Sequence, residues 1–531
     1  MRNPLLLSLL VFALPLAAQT TSFDKFKQQQ DAKFDKFVTD KQADYDAFRQ
    51  RANEQYADFM RQAWKAFPVQ DAEKPHEEEE IQPVVYEEPK PAPQPAPQPV
   101  VEPQPQQEEK PVPLPKVDPI STPQHKVKTA PVPQPKQIPI QPKVVVVPQP
   151  TPAPEPLAPV QPAEEIPFKR VSLNYYGSLI TIGFPTPDNL KIKALKENAL
   201  ADAWKLLSGK EYDITVKTAL DARNANDLCD WAYMDLLRLA AEKQYGKTNE
   251  AVLMQAFLMT QSGYRIRLGM TADKLIMLIA SKYDIYNLRY ISIGGTMFYI
   301  TGDYKGEGLH ICQAKFEKEQ SLSLQLARLP RFGDDPTPKR TLSSNKGVTA
   351  AVSVNKNLID FFNQYPQASI EGDFTTRWAA YANTPLDQSI QDALYPKFKK
   401  AIASMSERDA VGLILNWVQT AFQYGYDDQI WGEDRAFFAQ ETLYYPQSDC
   451  EDRAILFSRL VRDIMGLDVV LFYYPGHLAA AVAFSTQVKG DWLVYNNRRY
   501  VVCDPTYINA SVGMTMPGMN NQQAKVIVLQ N

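Results

Sequence analysis

The chain has 531 residues, a net charge of −4 and 43 prolines. By length alone it could hold about three or four domains, but the N-terminal third is too rich in proline and polar residues to pack a core. No stripe of lysine and arginine alternates with aromatic residues, which excludes the basic surface that nucleic-acid binding requires.

Residues 1–18 have the pattern of a cleaved secretory signal. Arg2 precedes an apolar run from Leu5 to Leu14, and Leu16-Ala17-Ala18 stands before Gln19, which is typical of a cleavage site. No cysteine at this point offers a lipid anchor, and no later run is long enough for a membrane span. The sequence therefore predicts an exported protein, periplasmic or extracellular, including the cell surface.

Residues 19–70 carry an eleven-residue aromatic repeat. One row is Phe23, Phe34, Tyr45, Tyr56 and Phe67, and a second is Phe26, Phe37, Phe48 and Phe59. Eleven residues make three helical turns, so the pattern predicts one long amphipathic helix with a slight right-handed coiled-coil supercoil. The helix could lie on its own protein, but its narrow stripe favours a rod that self-associates or docks a partner.

Residues 71–167 are dominated by Pro-Gln-Pro and Pro-Ala-Pro units. Such a composition favours extended polyproline conformations without a core. The tract is predicted to be a disordered linker between the helix and the globular part.

Residues 168–320 read as an α+β domain, and 321–405 as a connecting helical and loop region. The run from Gly263 to Tyr304 has the order of hairpins found again in the C-terminal region. In this alignment Lys274 falls where His477 stands, which suggests a degenerate second copy that has lost its imidazole. The alternative is two unrelated α+β domains with similar hairpin spacing.

The counts of cysteine and histidine limit the chemistry. Four cysteines are too few for a disulfide scaffold, and a free Cys450 would leave Cys229, Cys312 and Cys503 for at most one disulfide. No CxxC or HxxxH pattern is present, so no zinc site is predicted, nor any other metal or cofactor.

The four histidines are His76, His125, His310 and His477. His76 and His125 lie in the predicted linker, so imidazole chemistry would depend on His310 or His477.

Three residues of the C-terminal region form a candidate nucleophilic triad. Cys450 begins a helical pattern, with Ser448 and Asp449 as candidate caps, and a helix N-terminus favours the thiolate. His477 opens an apolar strand as candidate base, and Asp504 closes a later strand from which it could orient the imidazole.

These motifs resemble the transglutaminase-like superfamily of cysteine peptidases and acyltransferases. The likeness covers about 406–531 and rests on Cys450-Glu451-Asp452-Arg453-Ala454, Gly466-Leu467, the strand led by His477, and Asp504-Pro505-Thr506; Tyr424 and Gln440-Glu441-Thr442-Leu443 are also similar. It implies Cys450 as nucleophile, His477 as general base and acid, and Asp504 as orienting residue. The family usually has a small residue, often glycine, two positions before the nucleophile and an aromatic residue after the histidine. This chain departs from that pattern with Ser448 and Leu478.

The resemblance completes the predicted architecture: an α+β fold in which a papain-like C-terminal core packs helices on an antiparallel sheet. The backbone N–H of Cys450 would form the oxyanion hole with a side chain, for which Gln447, Gln440 and Trp431 are candidates.

The leading hypothesis is an exported thiol peptidase, amidase or acyltransferase that acts on a protein or peptide substrate. The alternative is a non-catalytic scaffold of the cell envelope.

Overall fold

The computed structural model describes residues 17–76, 81–87, 143–162, 166–306, 308–520 and 523–530. Residues 1–16 of the predicted signal and most of the proline-rich tract, with His125, lie outside these ranges. Across the described residues the protein is a mixed α+β structure, as predicted.

The helices alternate with short strands through much of the chain. Their bounds are α1 (Ala17–Met60), α2 (Glu197–Leu207), α3 (Asp213–Ala225), α4 (Asp230–Tyr245), α5 (Asn249–Gln261), α6 (Lys356–Phe362), α7 (Thr376–Asn383), α8 (Gln388–Ile402), α9 (Glu407–Thr420), α10 (Asp427–Ile430), α11 (Ala439–Tyr444) and α12 (Cys450–Met465), with a short 3₁₀ turn at Lys210–Tyr212.

The strands of the first two-thirds of the chain are β1 (Lys65–Ala66), β2 (Lys143–Val146), β3 (Phe168–Tyr175), β4 (Ser178–Pro185), β5 (Ile266–Met270), β6 (Leu275–Ser281), β7 (Tyr283–Ile285), β8 (Tyr290–Ile293), β9 (Thr296–Thr301), β10 (His310–Cys312), β11 (Arg340–Ser343) and β12 (Thr349–Val352). The remaining strands are β13 (Ala368–Ile370), β14 (Gln423–Tyr424), β15 (Gln447–Ser448), β16 (Val469–Tyr474), β17 (His477–Val482), β18 (Trp492–Tyr495), β19 (Arg498–Cys503) and β20 (Lys525–Val528).

Two six-stranded sheets organise the fold. The central sheet has the order β1-β10-β5-β6-β9-β8, and the C-terminal sheet has the order β18-β19-β17-β16-β20-β2. In each sheet a hairpin forms the middle, β5–β6 or β16–β17, and a second hairpin, β8–β9 or β18–β19, extends one side. On the other side lies a later strand, β10 or β20, and beyond it a strand from the N-terminal part of the chain, β1 or β2. The orders therefore match strand for strand, although β1 joins antiparallel to its neighbour and β2 joins parallel.

A helix packs on each middle hairpin. α5 contacts β5 and β6, while α12 contacts β16 and β17. Along α12 the apolar positions recur at helical spacing, and Phe457, Leu460 and Val461 are fully buried. Burial of side chains of this size contributes about 1.5–3 kcal/mol each, which fixes the start of α12 relative to β17.

The N-terminal helix differs from the predicted rod. α1 ends at Met60 rather than near 70, and the chain turns so that β1 pairs with β10. Tyr56 is buried and stacks on Trp204 at 4.4 Å between ring centroids. Asn53, fully buried, also accepts from the Trp204 indole N–H at 3.1 Å.

The C-terminal part of α1 thus packs on the protein's own globular part, beside α2 and α5. The face that packs there includes polar as well as aromatic residues, so the aromatic rows alone do not define it. Tyr45, Phe48 and Phe59 remain exposed. The side chains of Phe23, Phe26, Phe34 and Phe37 lie outside the described ones, and self-association stays a prediction.

The prediction that residues 71–167 form a disordered linker is wrong for the two ends of this tract that the structure describes. Val145 and Val147 are buried, and β2 pairs with β20. A run of valines between prolines is a good edge strand, because the β-branched side chains cover the sheet and the prolines stop it. Upstream, residues 71–76 and 81–87 contact both halves of the protein; for example, the Asn287 N–H donates to the Glu73 carbonyl and the Tyr86 N–H to that of Ile508.

Within the described ranges, no helix combines the length and the apolar character that a membrane crossing needs.

Candidate active site

Cys450 is the first residue of α12, as predicted. The N-cap is Asp449, whose side chain accepts from the Asp452 N–H at 3.3 Å, and Asp452 accepts from the Asp449 N–H at 3.3 Å. This reciprocal capping box fixes the start of the helix, and Gly466 closes its other end in the left-handed conformation with φ of 67°. The sulfur therefore lies in the first turn, where unpaired N–H groups favour a negative charge.

A tight turn places His477 beside this helix. The hairpin pairs Tyr474 with His477, and Gly476 in the intervening turn has φ of 74°, a conformation that favours glycine. His477 Nε2 lies 2.9 Å from Asp504 Oδ2, and both side chains are buried. Two of the three predicted residues thus form a hydrogen-bonded pair.

Asp504 is held by the chain that follows it. Its Oδ1 accepts from the N–H groups of Thr506 and Tyr507 at 2.9 and 3.1 Å. The buried Gln419 amide donates to the Asp504 carbonyl at 3.0 Å. One carboxylate oxygen is therefore fixed by backbone, and the other is left for the imidazole.

The thiol is near this pair without being bonded to the imidazole. The Leu478 N–H points at Cys450 Sγ, 3.4 Å away, and the thiol donates to Glu451 Oε2 at 3.2 Å. His477 Nδ1 is buried and has no hydrogen-bond partner among the described residues. Since Nε2 is engaged with Asp504, Nδ1 is the atom through which His477 could exchange a proton with the thiol.

One cavity, which we term the thiol cavity, contains both Cys450 and His477 in its wall. Its volume is about 530 Å³. Five carboxylates line it, against a single guanidinium, that of Arg377; they belong to Asp427, Asp428, Glu433, Asp434 and Glu451. This excess of negative charge suits a ligand with a basic group.

Three buried donor atoms, on two side chains in the wall of the thiol cavity, have no hydrogen-bond partner among the described residues. Arg377 bonds Asp434 at 2.5 Å through Nη2, but its Nε and Nη1 have no partner among the described residues, and neither does Trp378 Nε1. Burial opposes the charge on Arg377, yet Asp434 and Glu451 outweigh it and raise its pKa. These donors are available to a ligand carbonyl, and no motif in the sequence identified them.

The three residues proposed for the oxyanion hole lie elsewhere. Gln440 is buried in α11 with its amide unpartnered among the described residues, and Gln447 is in β15. Trp431 contacts the rings of Phe437 and Tyr445. None of the three lines the thiol cavity, so their role stays a prediction.

The N-terminal segment reaches the rim of the thiol cavity. The Ile81 N–H donates to the Gly476 carbonyl at 3.0 Å, and Gln82 is part of the lining. His76 stacks on Phe374, another lining residue, at 3.9 Å. Placing His76 in a disordered tract was therefore wrong, because an aromatic partner holds it at the rim.

The remaining cysteines differ in environment from Cys450. None of the four cysteines forms a disulfide with another described residue. Burial raises the pKa of Cys229 to about 12 and that of Cys312 to about 11, and burial also raises the pKa of Cys503. At neutral pH these three thiols are protonated and poorly nucleophilic.

Buried carboxylates surround the first turns of α12. Burial raises the pKa of Asp452 well above its usual range, and the charges of Asp427 and Glu451 add to this. Carboxylate oxygens of Asp427, Asp434 and Glu451 lie within 4.8 Å of one another, which is the kind of donor set that hard cations take. Arg377 already contacts two of them, so their charge is partly balanced by protein.

Comparisons of the chain with protein families, curated proteins and solved structures gave no match.

Proposed function

We propose that this protein is an exported thiol enzyme of the transglutaminase-like type, which cleaves amide bonds or transfers their acyl groups to another amine. One observation carries the proposal: Cys450 at a helix start shares the thiol cavity with His477, whose imidazole is bonded to buried Asp504. The predicted signal in residues 1–18 supports export, and the carboxylates of the cavity favour peptides that carry an amine.

The reaction begins when His477 Nδ1 takes the proton of Cys450. A side-chain rotation moves the sulfur from Glu451 towards the imidazole, and Asp504 stabilises the imidazolium that forms. The thiolate attacks the carbonyl carbon of the amide. In this proposal the Cys450 N–H and the unpartnered donors of Arg377 and Trp378 stabilise the resulting oxyanion.

Collapse of this intermediate breaks the C–N bond, and the imidazolium gives its proton to the leaving amine. A thioester remains on Cys450. Water, or a second amine, then loses a proton to Nδ1 and attacks the thioester. The proton returns to the sulfur as the carboxylic acid or new amide leaves, so the thiol is restored.

Selective alkylation tests the activated thiol. The chain from Gln19 is treated with a limiting amount of iodoacetamide at about pH 6 and the labelled cysteines are mapped by mass spectrometry; we expect Cys450 to react about tenfold faster than the other three. Cys503→Ala is the control, because it removes a buried thiol without touching the cavity. Equal rates at all four cysteines would contradict the proposal.

Hydrolysis supplies the second readout. Release of new amino groups from a mixture of amine-bearing peptides should fall at least about a thousandfold in Cys450→Ala. Unchanged release would exclude Cys450 as the nucleophile.

A non-catalytic scaffold is the second candidate. It is favoured by the bond from the thiol to Glu451 and by the unpartnered Nδ1 of His477, since the resting site is not closed. In this case Cys450→Ala leaves the biological role intact, while removal of residues 23–67, predicted to be the rod, abolishes it.

A further inference from the structure

The central sheet carries a second cavity at the position of the active site. Cys503 ends β19, the strand beside β17, and Thr301 ends β9, the strand beside β6. They pair with Ala480 and Met277 respectively. Three residues before Ala480 is His477, and three residues before Met277 is Lys274. The register therefore places Lys274 at the position of His477.

The helix that begins the site corresponds as well. Asn249 is the first residue of α5, as Cys450 is of α12. The Leu275 N–H, one residue after Lys274, donates to Asn249 Oδ1 at 2.8 Å. Leu478, one residue after His477, directs its N–H at the Cys450 sulfur in the same way.

The third position has a carboxylate in both sites. Lys274 Nζ lies 2.5 Å from Asp303 Oδ2, whereas His477 Nε2 lies 2.9 Å from Asp504 Oδ2. Asp303 is two residues after the end of its strand and Asp504 is one, so the loop differs by one residue. The hydrogen bond with Asp303 raises the pKa of Lys274, which keeps the amine protonated and unable to act as a base.

The chemistry proposed for the thiol cavity cannot operate here, but a cavity is present. It has a volume of about 320 Å³ and contains Asn249, Lys274 and Asp303 in its wall, and we term it the lysine cavity. Apolar side chains of Val252, Ile276 and Met277 also line it. An amide cannot replace a thiol as nucleophile, so this site can bind a ligand but not form a thioester with it.

The charges of the lysine cavity favour an anion. Its cations are Arg238, Lys247 and Lys274, against the carboxylates of Glu242 and Asp303. Arg238 is paired with Glu242 and with Asp235 outside the lining, and Lys274 is paired with Asp303. Within the described ranges, no carboxylate oxygen lies within 4.0 Å of Lys247 Nζ, so its charge is available. The first turn of α5 adds N–H groups that favour a negative ligand.

We propose that the lysine cavity is a non-catalytic binding site for the free carboxylate end of a peptide, with Lys247 and Lys274 on the carboxylate and the apolar wall on the adjoining side chain. The choice of a peptide rests on the function proposed above. The binding itself does not require Cys450, so the two proposals can fail separately.

The test compares an acid with its amide on the chain from Gln19. The probe is N-acetyl-trialanine, and the control ligand is the same peptide with a C-terminal amide, both titrated by calorimetry in the Cys450→Ala variant to prevent turnover. We expect saturable binding of the acid and at least about tenfold weaker binding of the amide, because a charge-assisted hydrogen bond is lost.

Substitutions then locate the binding. Lys247→Gln and Lys274→Gln should each weaken binding of the acid by about threefold or more. Lys191→Gln, which removes an exposed charge outside the cavity, should leave it unchanged. Equal affinity for acid and amide, absence of saturable binding, or full binding by both lysine variants would overturn the proposal. The acid and amide comparison needs no lysine variant, so it stands even if a substitution impairs folding.

Discussion

The two sheets of this protein present the same strand order with opposite charge at their cavities. The thiol cavity combines a thiol and an imidazole with five carboxylates. The lysine cavity combines an amide and an ammonium group, and its cations outnumber its carboxylates. In both sites a backbone N–H of a strand is directed at the side chain of the first residue of the helix. In one site the Leu275 N–H is directed at Asn249, and in the other the Leu478 N–H is directed at Cys450.

The comparison shows which parts of the site belong to the fold. The helix start, the hairpin and the terminal carboxylate recur where no thiol is present, so they do not depend on the thiol. The chemistry that we propose depends on two side chains, Cys450 and His477, whose counterparts are Asn249 and Lys274. Exchanging residues between the two positions therefore tests the correspondence directly.

The largest effect is expected at the imidazole. His477→Lys gives the thiol cavity the residue of the other site, and a lysine held protonated by Asp504 cannot accept the thiol proton. We expect amide hydrolysis to fall at least about a thousandfold, measured as release of amino groups from peptides. Because a buried lysine could impair folding, His477→Gln is the matched control, neutral and of similar size. Retention of more than about a tenth of the activity by a folded His477→Gln variant would remove His477 from the mechanism.

Much of this comparison could be predicted from the sequence, because it depends on local patterns. The helix from Cys450, the strand from His477 and the end of the strand before Asp504 all follow from capping residues, apolar runs and proline. The alignment of Lys274 with His477 follows from the same hairpin spacing. Asp449 as the cap could also be inferred, since short polar side chains satisfy the first N–H groups.

Long-range contacts could not be predicted in the same way. Arg377 and Trp378 come from α7, far along the chain from α12, and no local pattern links them to the cavity. The docking of Tyr56 on Trp204 and the pairing of β2 with β20 depend equally on surfaces formed only after folding. The valines of β2 form only a short run within the proline-rich tract, so the composition of the whole tract does not indicate a strand there.

The thiol cavity also has buried carboxyl groups near it, around α12. One of them, Glu441, predicts a stability that depends on pH. Burial raises the pKa of Glu441 to about 7, although Arg435 lies 2.5 Å away and lowers it. A carboxyl group with a raised pKa keeps its proton in the folded state when the unfolded chain has lost it. Its contribution is therefore fully present below about pH 4.5 and is lost as the pH rises to about 7.

Glu441→Gln should remove this dependence. Between about pH 4.5 and 7 the free energy of unfolding of the variant should fall less than that of the unchanged protein, by roughly 1–3 kcal/mol. Urea unfolding followed by circular dichroism at both pH values measures the difference. Glu317→Gln, at an exposed position, is the control. An identical pH dependence in Glu441→Gln and the unchanged protein would show that Arg435 keeps Glu441 ionised.

The smallest effect is expected when a thiol is placed in the lysine cavity. Asn249→Cys, made in the Cys450→Ala background, puts a sulfur at a half-buried helix start, where it should be alkylated faster than buried Cys312. It should give no hydrolysis, because protonated Lys274 cannot take the proton. Adding Lys274→His supplies a base beside Asp303, and we expect alkylation at about pH 6 to rise by a few fold over the single variant. Lys191→His is the control for a histidine placed elsewhere. If the paired variant is alkylated no faster than Asn249→Cys alone, Lys274 does not occupy the position of His477, and the two cavities share a strand order without sharing a site.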